Sequence, residues 1–427
     1  MNKSIVAWAL YDWANSAFAT TVMAGFFPIF FKQYWSTGVS STESTFYLGV
    51  GNSVASLVIV LAAPLLGAIA DQGGLRRRLL MLFAGTGVVA TAALYGVAQG
   101  EWLAALVLFV TATIGFMGAN IFYDALLITV AKESQWDFIS ALGYALGYLG
   151  GGLLFAVNVA MTLSPESFGL QSASEAVRLS FISVAIWWAV FSLPLFLWVK
   201  EKPANQDKLD AVSPWRVVQA GYQQLIKTFH QLRQFRLVVL FLVAYWLYID
   251  GVDTIVRMAV DYGLSIGLQQ EDLITALLIT QFVGLPSTIA FGWMAQRYGA
   301  EGEGAKKGIL LALGVYVLAT MGAFFMDSSA EFYALAITIG LVQGGVQALS
   351  RSYYARLIPK GKSTEFFGFY NMLGKFAAVL GPLMVGVISL ASGSHRWGML
   401  SIVLLLVLGG WVLTKVDYPS ANAVNKP

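Results

Sequence analysis

The chain has 427 residues, of which 58% are hydrophobic and only 11% are charged, and its formal net charge is +3. Because a soluble domain carries about a quarter charged residues, this composition excludes an ordinary soluble fold. The small net charge and the lack of a long basic run give no indication of nucleic-acid binding. The chain contains no cysteine, which excludes disulfides and thiolate metal sites.

Twelve apolar stretches follow one another along the chain, each near the ~20 residues that a helix needs to cross a bilayer. In the first half they run approximately over Ile5 to Gln33, Thr45 to Asp71, Arg77 to Gln99, Leu103 to Val130, Phe138 to Leu163 and Arg178 to Val199. In the second half they run over Phe235 to Tyr262, Glu271 to Arg297, Lys307 to Met326, Glu331 to Ile358, Glu365 to Ala391 and Arg396 to Thr414. We therefore predict an all-α integral membrane protein with twelve transmembrane helices.

The loops predict the orientation in the membrane. Most Lys and Arg residues lie before the first stretch, in alternate loops, in the central connection and in the tail, whereas the opposite loops carry Lys32, Arg178 and Arg396 and more acids. By the positive-inside rule, both termini are expected to be cytoplasmic. The first stretch is too long for a signal-peptide core, so we expect it to be retained.

The two halves show weak internal similarity at matching helices. The pairs that match are Asp12 with Asp250, Asn15 with Asp253, Gly67 with Gly292, Asp71 with Gln296, and Tyr148 with Lys375. Duplicated halves are typical of transporters, which bind substrate near the membrane midplane between them. We predict two pseudo-symmetric six-helix bundles, residues 1–199 and 237–427, the second ending in a short cytoplasmic tail.

The long polar connection over residues 200–236 joins the predicted bundles. Ser213 could cap a helix there, whose apolar face would carry Trp215, Val218, Tyr222, Leu225, Phe229 and Leu232. Two interpretations stay open for this cytoplasmic linker helix: it lies at the membrane interface, or it packs on neighbouring loops.

Placing a charged side chain within the membrane costs ~2.5 to 3.5 kcal/mol. Each such residue therefore requires a partner, a water-filled cavity or a function. The set consists of Asp12, Asp124, Asp250, Asp253, Arg257 and Lys375. Asp253 and Arg257, at i and i+4, form either a structural salt bridge or a gate. Each of the others serves either in proton or substrate binding or as a helix-pairing, capping or buried ion-pair residue.

Uncharged polar residues could complete a polar cavity or could instead be hydrogen-bond partners between helices. They are Asn15, Asn120, Gln343, Gln347, Ser350 and Asn371. Gly147 and the run Gly150 to Gly152 in the fifth stretch form a seam of small residues, for which close helix packing is the main interpretation and a hinge the lesser one.

Two enzyme-like motifs lack the context that their chemistry requires. The sequence GLSIG at 263–267 lies at the end of a membrane helix and not between a strand and a helix, and GKS at 361–363 lacks the upstream glycine of a phosphate loop. The two histidines cannot form a zinc site. We therefore expect no enzyme, no catalytic residue, no metal and no cofactor.

The sequence GAIADQGGLRRR after the second stretch resembles the loop signature of the major facilitator superfamily. Gly67 would permit close helix contact, Asp71 can lie against a neighbouring helix N-terminus, and the basic cluster would anchor the cytoplasmic face. That cluster consists of Arg76, Arg77 and Arg78. The copy in the second half has Gln296 in place of the acid.

A closer resemblance is to the vacuole amino-acid effluxer branch of that superfamily, the autophagy-related permeases and their bacterial relatives. It rests on YDWANSAFATTV, FYDALL, SALGYALGYLGGG, GGVQALSRSYYARLIP and EFFGFYNMLGKFAAVLGP, which span both halves. The resemblance implies the major facilitator fold and a secondary transporter with alternating access, which exports amino acids in the vacuolar members.

From the residues and this resemblance together we expect proton-coupled export of amino acids or similar zwitterions across a bacterial inner membrane. The alternatives are a lipid or lysophospholipid translocator, or a sugar or drug permease, on the same fold. The expected partners are a small-molecule substrate, a proton and membrane lipids, without an obligate protein partner.

Overall fold

The computed structural model describes residues 2–39, 41–200, 214–230, 232–298, 302–359 and 361–416. A few side chains within these ranges, including those of Arg257 and Lys375, lie outside the described part. Every regular element among the described residues is helical, so the all-α prediction is confirmed.

Six long helices form the first half of the chain. They are α1 (Lys3–Trp35), α2 (Ser41–Gly73), α3 (Arg76–Ala93), α4 (Trp102–Val130), α5 (Trp136–Leu163) and α6 (Ala173–Trp198). The second half contains α7 (Pro214–His230), α8 (Arg236–Ser265), α9 (Gln270–Tyr298), α10 (Glu303–Ala323), α11 (Ser329–Leu357), α12 (Ser363–Ser392) and α13 (His395–Thr414). Among the described residues, eleven helices contain a stretch long and apolar enough to cross a membrane, and α12 adds the shorter apolar section Leu380–Ser392.

Contacts group the chain into two compact units. The first comprises Met1–Val130, Leu146–Tyr222 and Thr364–Asn371, and the second comprises Ala131–Ala145, Gln223–Ser363 and Met372–Pro427. The first turns of α12 therefore pack with helices of the first unit, and the first turns of α5 pack with helices of the second. The domain boundaries expected at residues 199 and 236 stay a prediction.

The glycine seam of α5 packs directly against α1 in the first unit. A Cβ atom on Gly150 would lie 2.5 Å from the carbonyl oxygen of Trp13, and one on Gly151 would lie 2.7 Å from Oγ1 of Thr20. Since no side chain fits in these gaps, the glycines allow the two helix backbones to approach closely. Packing, the main interpretation of this seam, is the role that the structure shows.

The helix expected in the central connection is present as α7. Gly221 lies against α2, where a Cβ atom would be 2.9 Å from the backbone nitrogen of Ile69, while the side chain of Tyr222 is exposed. Nζ of Lys362 donates a hydrogen bond of 3.1 Å to Oγ1 of Thr228. The expected cap, Ser213, lies outside the described residues.

Candidate functional site

Asp71, near the end of α2, lies against the N-terminus of α12. Its Oδ1 accepts a hydrogen bond of 3.2 Å from the backbone N–H of Thr364, and its Oδ2 accepts one of 2.9 Å from that of Glu365. The first N–H groups of a helix have no partner within the helix, and the helix dipole favours a negative charge there. Asp71 thus holds the start of α12 by charge and by hydrogen bonds, an arrangement that we call the α12 latch.

Glycine lets α2 approach this helix start. A Cβ atom on Gly67 would lie 2.2 Å from the carbonyl oxygen of Thr364, and one on Gly368 of α12 would lie 2.5 Å from that of Ala63. Any larger residue at either position would force the two backbones apart.

The three consecutive arginines of the loop signature have different surroundings. Nη2 of Arg76 lies 2.7 Å from Oδ1 of Asp71 and completes the α12 latch. Nη1 of Arg77 donates to the carbonyl oxygen of Val199 at 3.2 Å, just beyond the end of α6, whereas Arg78 is exposed. The basic cluster is therefore not a single binding surface, because its members meet different groups.

Two further predicted site residues meet two turns deeper along α12. Nδ2 of Asn371 donates hydrogen bonds of 2.9 Å to Oδ2 of Asp124 and of 3.0 Å to the carbonyl oxygen of Phe367. Asp124 and Asn371 are both buried. Asp124 on α4 thus contacts the first turns of α12, the helix whose start Asp71 holds.

Asp12 and Asn15 face α4 in the same unit. The hydroxyl of Tyr123 donates a hydrogen bond of 2.8 Å to Oδ2 of Asp12, and Nδ2 of Asn15 donates one of 2.7 Å to Oδ1 of Asn120. The ring of Trp8 stacks on Tyr123 with centroids 4.5 Å apart. Polar pairs therefore join α1 to α4 at two successive positions.

Asp250, the repeat counterpart of Asp12, has a different environment in the second unit. Its Oδ1 accepts hydrogen bonds from the backbone N–H of Gly381 at 2.9 Å and from Oγ1 of Thr254 at 3.3 Å. The residue has no exposed surface, and its Oδ2 accepts no hydrogen bond from the residues that the structure describes. Such a half-satisfied buried carboxylate requires an explanation.

A buried ion pair ties the start of α5 to α11 in the second unit. Nη1 of Arg356 lies 2.7 Å from Oδ1 of Asp137, and both side chains are only 4% exposed. Asp137 also accepts a hydrogen bond of 2.6 Å from Oγ of Ser352. In the second half, where Gln296 stands in place of the acid, the start of α5 is held to α11 by this ion pair.

Arg351 makes the second contact between these helices, and it is 1% exposed. Its Nε donates to Oγ of Ser140 and its Nη2 to the carbonyl oxygen of Ser140, both at 2.9 Å. The guanidinium carbon lies 4.3 Å from the ring centroid of Tyr144, within cation–π distance. Oγ of Ser140 in turn donates to the carbonyl oxygen of Ala348 at 2.7 Å. We call this set the Arg351 anchor.

The two units repeat this arrangement with inverted charge. In the register that sets Tyr148 opposite Lys375, Asp124 matches Arg351, and Asn371 matches Tyr144. Gly292 repeats Gly67, since its Cβ atom would lie 2.3 Å from Cβ of Ala141 on α5. Each unit therefore holds the start of one helix beside a glycine, and the matched position carries a buried acid in the first unit and a buried arginine in the second.

The remaining predicted site residues lie on α8, α11 and α12. Gln343 lines a small, mostly apolar cavity of about 50 Å³ between α8, α9 and α11. Gln347 lies half-buried one turn before Arg351, and Asp253 lies half-buried one turn after Asp250. The side chains of Arg257 and Lys375 lie outside the described part of the structure.

Sequence reasoning missed Tyr123, Asp137, Ser140, Arg351 and Arg356. The charged residues among them fall near the ends of the predicted spans, where charges are common and do not by themselves indicate a functional site. The repeat register could have indicated Arg351, since it lies opposite Asp124. Nothing in the sequence indicated which helix Asp137 would contact.

Solved structures with the same arrangement of helices define the fold. The human organic anion transporter MFSD10 (TETRAN) superposes with a TM-score of 0.73 at 14% identity, over 96% of this chain and 99% of that one. The proton:xylose symporter XylE superposes with a TM-score of 0.69 at 14% identity, over 97% and 94%. The predicted fold class is thereby confirmed: the protein has the major facilitator fold.

Sequence comparison identifies the family. The family model described as "Vacuole effluxer Atg22 like" matches residues 37–424, so the chain belongs to this family of major facilitator transporters. An uncharacterized MFS-type transporter, YxiO of Bacillus subtilis (strain 168), is 36% identical over 98% of this chain and 96% of its own length. Autophagy-related protein 22 of Yarrowia lipolytica is 27% identical over 65% of this chain, which spans 50% of that protein.

Proposed function

We propose that the protein is a proton-coupled secondary transporter that exports amino acids or similar zwitterions by alternating access. Membership of the effluxer family supports transport and the outward direction. The fold supports alternating access, because the class moves substrate by rearranging two bundles around one site.

The observation that carries proton coupling is the environment of Asp250. One carboxylate oxygen has two hydrogen-bond donors, while the other is buried without a donor among the described residues. A charged carboxylate in the membrane is costly, and a buried oxygen without a partner adds to that cost. A proton on Oδ2 would remove the charge without disturbing the bonds that Oδ1 accepts. Asp250 is thus suited to take up and release a proton during the cycle.

Asp124 offers a link between protonation and movement of α12. The ionised carboxylate accepts the hydrogen bond from Asn371, and protonation weakens it as an acceptor. The start of α12 would then depend more heavily on the α12 latch. A proton bound more tightly in one orientation than in the other shifts the equilibrium between the two orientations.

Four further assignments belong to this proposal. The bacterial relative supports a bacterial inner membrane, and the distribution of Lys and Arg supports cytoplasmic termini. Lys375 remains a candidate to bind the substrate carboxylate or to exchange a proton. Asp12, held by Tyr123, remains a candidate in proton or substrate binding.

The test is amino-acid flux in liposomes with an imposed pH gradient. Asp250→Asn preserves size and mimics the protonated acid, so we expect gradient-driven flux to fall at least tenfold while exchange of amino acids without a gradient persists. Asp272→Asn is the matched control, because Asp272 precedes the membrane-spanning part of α9 and is bonded to Ser329 and Tyr333. This control should retain gradient-driven flux.

Two results would contradict the proposal. If the wild-type protein in liposomes moves no amino acid under any pH gradient, the proposed substrate class is excluded. If amino-acid flux through the Asp250→Asn variant depends on pH as it does in the wild type, Asp250 is excluded as the proton carrier.

A further inference from the structure

Three basic side chains lie where α7 ends and α8 begins. Lys227 is exposed near the end of α7, Arg236 is exposed at the first residue of α8, and Lys362 is half-buried just before α12. All three belong to the second unit, and we call them the α8 basic cluster. The sequence over residues 211–249 contains no acid, so its neighbours along the chain do not balance the charge of this segment.

Lys362 brings the three residues of the α8 basic cluster together. Its Nζ donates a hydrogen bond of 3.1 Å to Oγ1 of Thr228, which directly follows Lys227. The same Nζ lies 5.4 Å from the ring centroid of Phe235, which directly precedes Arg236. That distance is within the range of a cation–π interaction. The ammonium of Lys362 is therefore held beside the two other cationic residues.

The cluster keeps donors that a ligand could use. An ammonium has three N–H donors, and the bond to Thr228 is the one hydrogen bond that Lys362 makes to the described residues. Within the described part of the chain, no carboxylate lies within ion-pair distance of Lys227, Arg236 or Lys362.

Other basic residues of the second unit differ in this respect. Arg356 is paired with Asp137, and Nζ of Lys307 lies 3.0 Å from Oε2 of Glu303. A basic residue that serves only to orient the chain in the membrane can carry such a partner. Three cations gathered without an acid among the described residues instead indicate a binding surface for an anion.

The position of the cluster along α8 indicates where that anion lies. The membrane-spanning part of α8 begins at Arg236, so the cluster lies at a boundary of the membrane. Ile226, directly before Lys227, is apolar and 39% exposed. Apolar and cationic side chains exposed side by side are typical of helices that lie in the headgroup region of a bilayer.

The phosphate of a lipid headgroup suits these donors. Arginine binds phosphate through two parallel N–H groups, and lysine binds it as a compact charge. Clusters of Lys and Arg beside a membrane-spanning helix attract anionic lipids, and each cation adds to the attraction. A headgroup with a net negative charge fits better than phosphocholine, because the cation of phosphocholine would be repelled.

We propose that the α8 basic cluster binds the headgroup phosphate of an anionic phospholipid from the leaflet in which α8 begins. The lipid would be held beside Lys362, and α12 begins at the next residue, Ser363. A bound lipid therefore restrains the start of α12. This inference does not depend on the transported substrate or on the coupling ion.

Native mass spectrometry of the purified protein in a nonionic detergent tests the proposal, because it counts the lipids bound to each molecule. Phosphatidylglycerol and phosphatidylcholine with identical acyl chains are added separately. Each cation contributes about fivefold in affinity, so we expect phosphatidylglycerol to bind at least about tenfold more tightly than phosphatidylcholine. Equal affinities of the two lipids would overturn the proposal.

Substitutions locate the bound lipid. Lys227→Gln, Arg236→Gln and Lys362→Gln should each weaken binding of phosphatidylglycerol about fivefold, and the triple variant should lose the preference over phosphatidylcholine. Lys307→Gln is the matched control, because it removes the same charge from the first turns of α10, where Lys307 is paired with Glu303. This control should keep the preference. A triple variant that keeps the preference, or a control that loses it equally, would reject the α8 basic cluster as the site.

Two measurements on the wild-type protein need no variant. Added salt should weaken binding of phosphatidylglycerol and leave that of phosphatidylcholine unchanged, because salt screens exposed charges. An equal response of the two lipids would contradict binding by charge. Inorganic phosphate at the concentration of the lipid should not displace phosphatidylglycerol. Displacement would show that the cluster is a site for a soluble anion and that the assignment to a lipid is wrong.

Discussion

The side-chain amide of Asn371 donates a hydrogen bond of 2.9 Å to Oδ2 of Asp124, joining α12 to α4. The sequence offers each of the two residues as a candidate substrate contact. Together they form a pair in which one member can change charge by binding a proton. Asn371 lies two turns beyond the start of α12 that Asp71 holds, so both contacts restrain the first turns of this helix.

Replacing Asp124 should separate its charge from its hydrogen bonding. Asp124→Asn keeps a side-chain oxygen that can accept from Asn371 but cannot titrate, so we expect the contact to persist while the pH dependence of transport flattens. Asn371→Leu removes the donor and leaves the carboxylate, so transport should slow and should keep its pH dependence. Initial rates in liposomes between about pH 5 and pH 8 measure both. The same pH profile in Asp124→Asn and in the wild type would remove Asp124 from the proton pathway.

Gly67→Ala should destabilise the α12 latch by overpacking. The added Cβ would lie 2.2 Å from the carbonyl oxygen of Thr364, so α2 and α12 must separate. Overpacking of this kind costs about 1 to 3 kcal/mol, which should lower the Tm of purified protein by several degrees. Gly85→Ala in α3 is the matched control, because a Cβ there meets nothing within 4 Å.

That control should be neutral or slightly stabilising, since alanine favours a helix over glycine by about 0.5 to 1 kcal/mol. Equal melting temperatures for the Gly67 variant and the wild type would show that α2 and α12 are free to separate at this position.

Replacing one member of the Asp137–Arg356 pair should destabilise the protein more than replacing both members. Losing one partner of a buried ion pair leaves an uncompensated charge, at a cost of about 3 to 5 kcal/mol, whereas replacing both can be nearly neutral. Arg356→Met alone should therefore lower Tm more than the double variant with Asp137→Asn. Melting curves of the two single variants and the double variant form the complete cycle. Strict additivity would show that the two side chains do not interact.

Asp272, at the start of α9 before its membrane-spanning part, should contribute stability that is lost in acid. Hydrogen bonds from Tyr333 and Ser329 hold the pKa of its carboxyl below the ordinary value of 3.8. A depressed pKa gives a contribution that is fully present above the ordinary value and is lost as the pH falls through the lowered one.

Tyr333→Phe removes the first of these donors, so the pKa of Asp272 should rise towards 3.8, and the acid-dependent loss of stability should become smaller and should be complete at a higher pH. Tm measured between about pH 2.5 and pH 6 detects the change, which should be small because solvent reaches the group. An acid-dependent loss of Tm as large as in the wild type, or larger, would contradict the assignment.

The sequence by itself determined that the chain crosses the membrane many times as helices. A bilayer core cannot hydrogen-bond a free backbone, so apolar stretches of this length have few alternatives to a helix, and their number follows from counting. The repeat was also readable, because matching glycines and acids recur in register at Gly67, Gly292, Asp12 and Asp250. The resemblance of the loop to the major facilitator signature, together with the helix dipole, placed Asp71 against a helix N-terminus.

Only the tertiary structure decided which charge meets which partner. Asp124 and Asn371 are 247 residues apart, and Ser140 and Arg351 are 211 apart. A helix brings together side chains three or four positions apart, but contacts between distant helices depend on how each helix is rotated and how deeply it packs. The ion pair between Asp137 on α5 and Arg356 on α11 is of this kind, because the two residues are 219 positions apart.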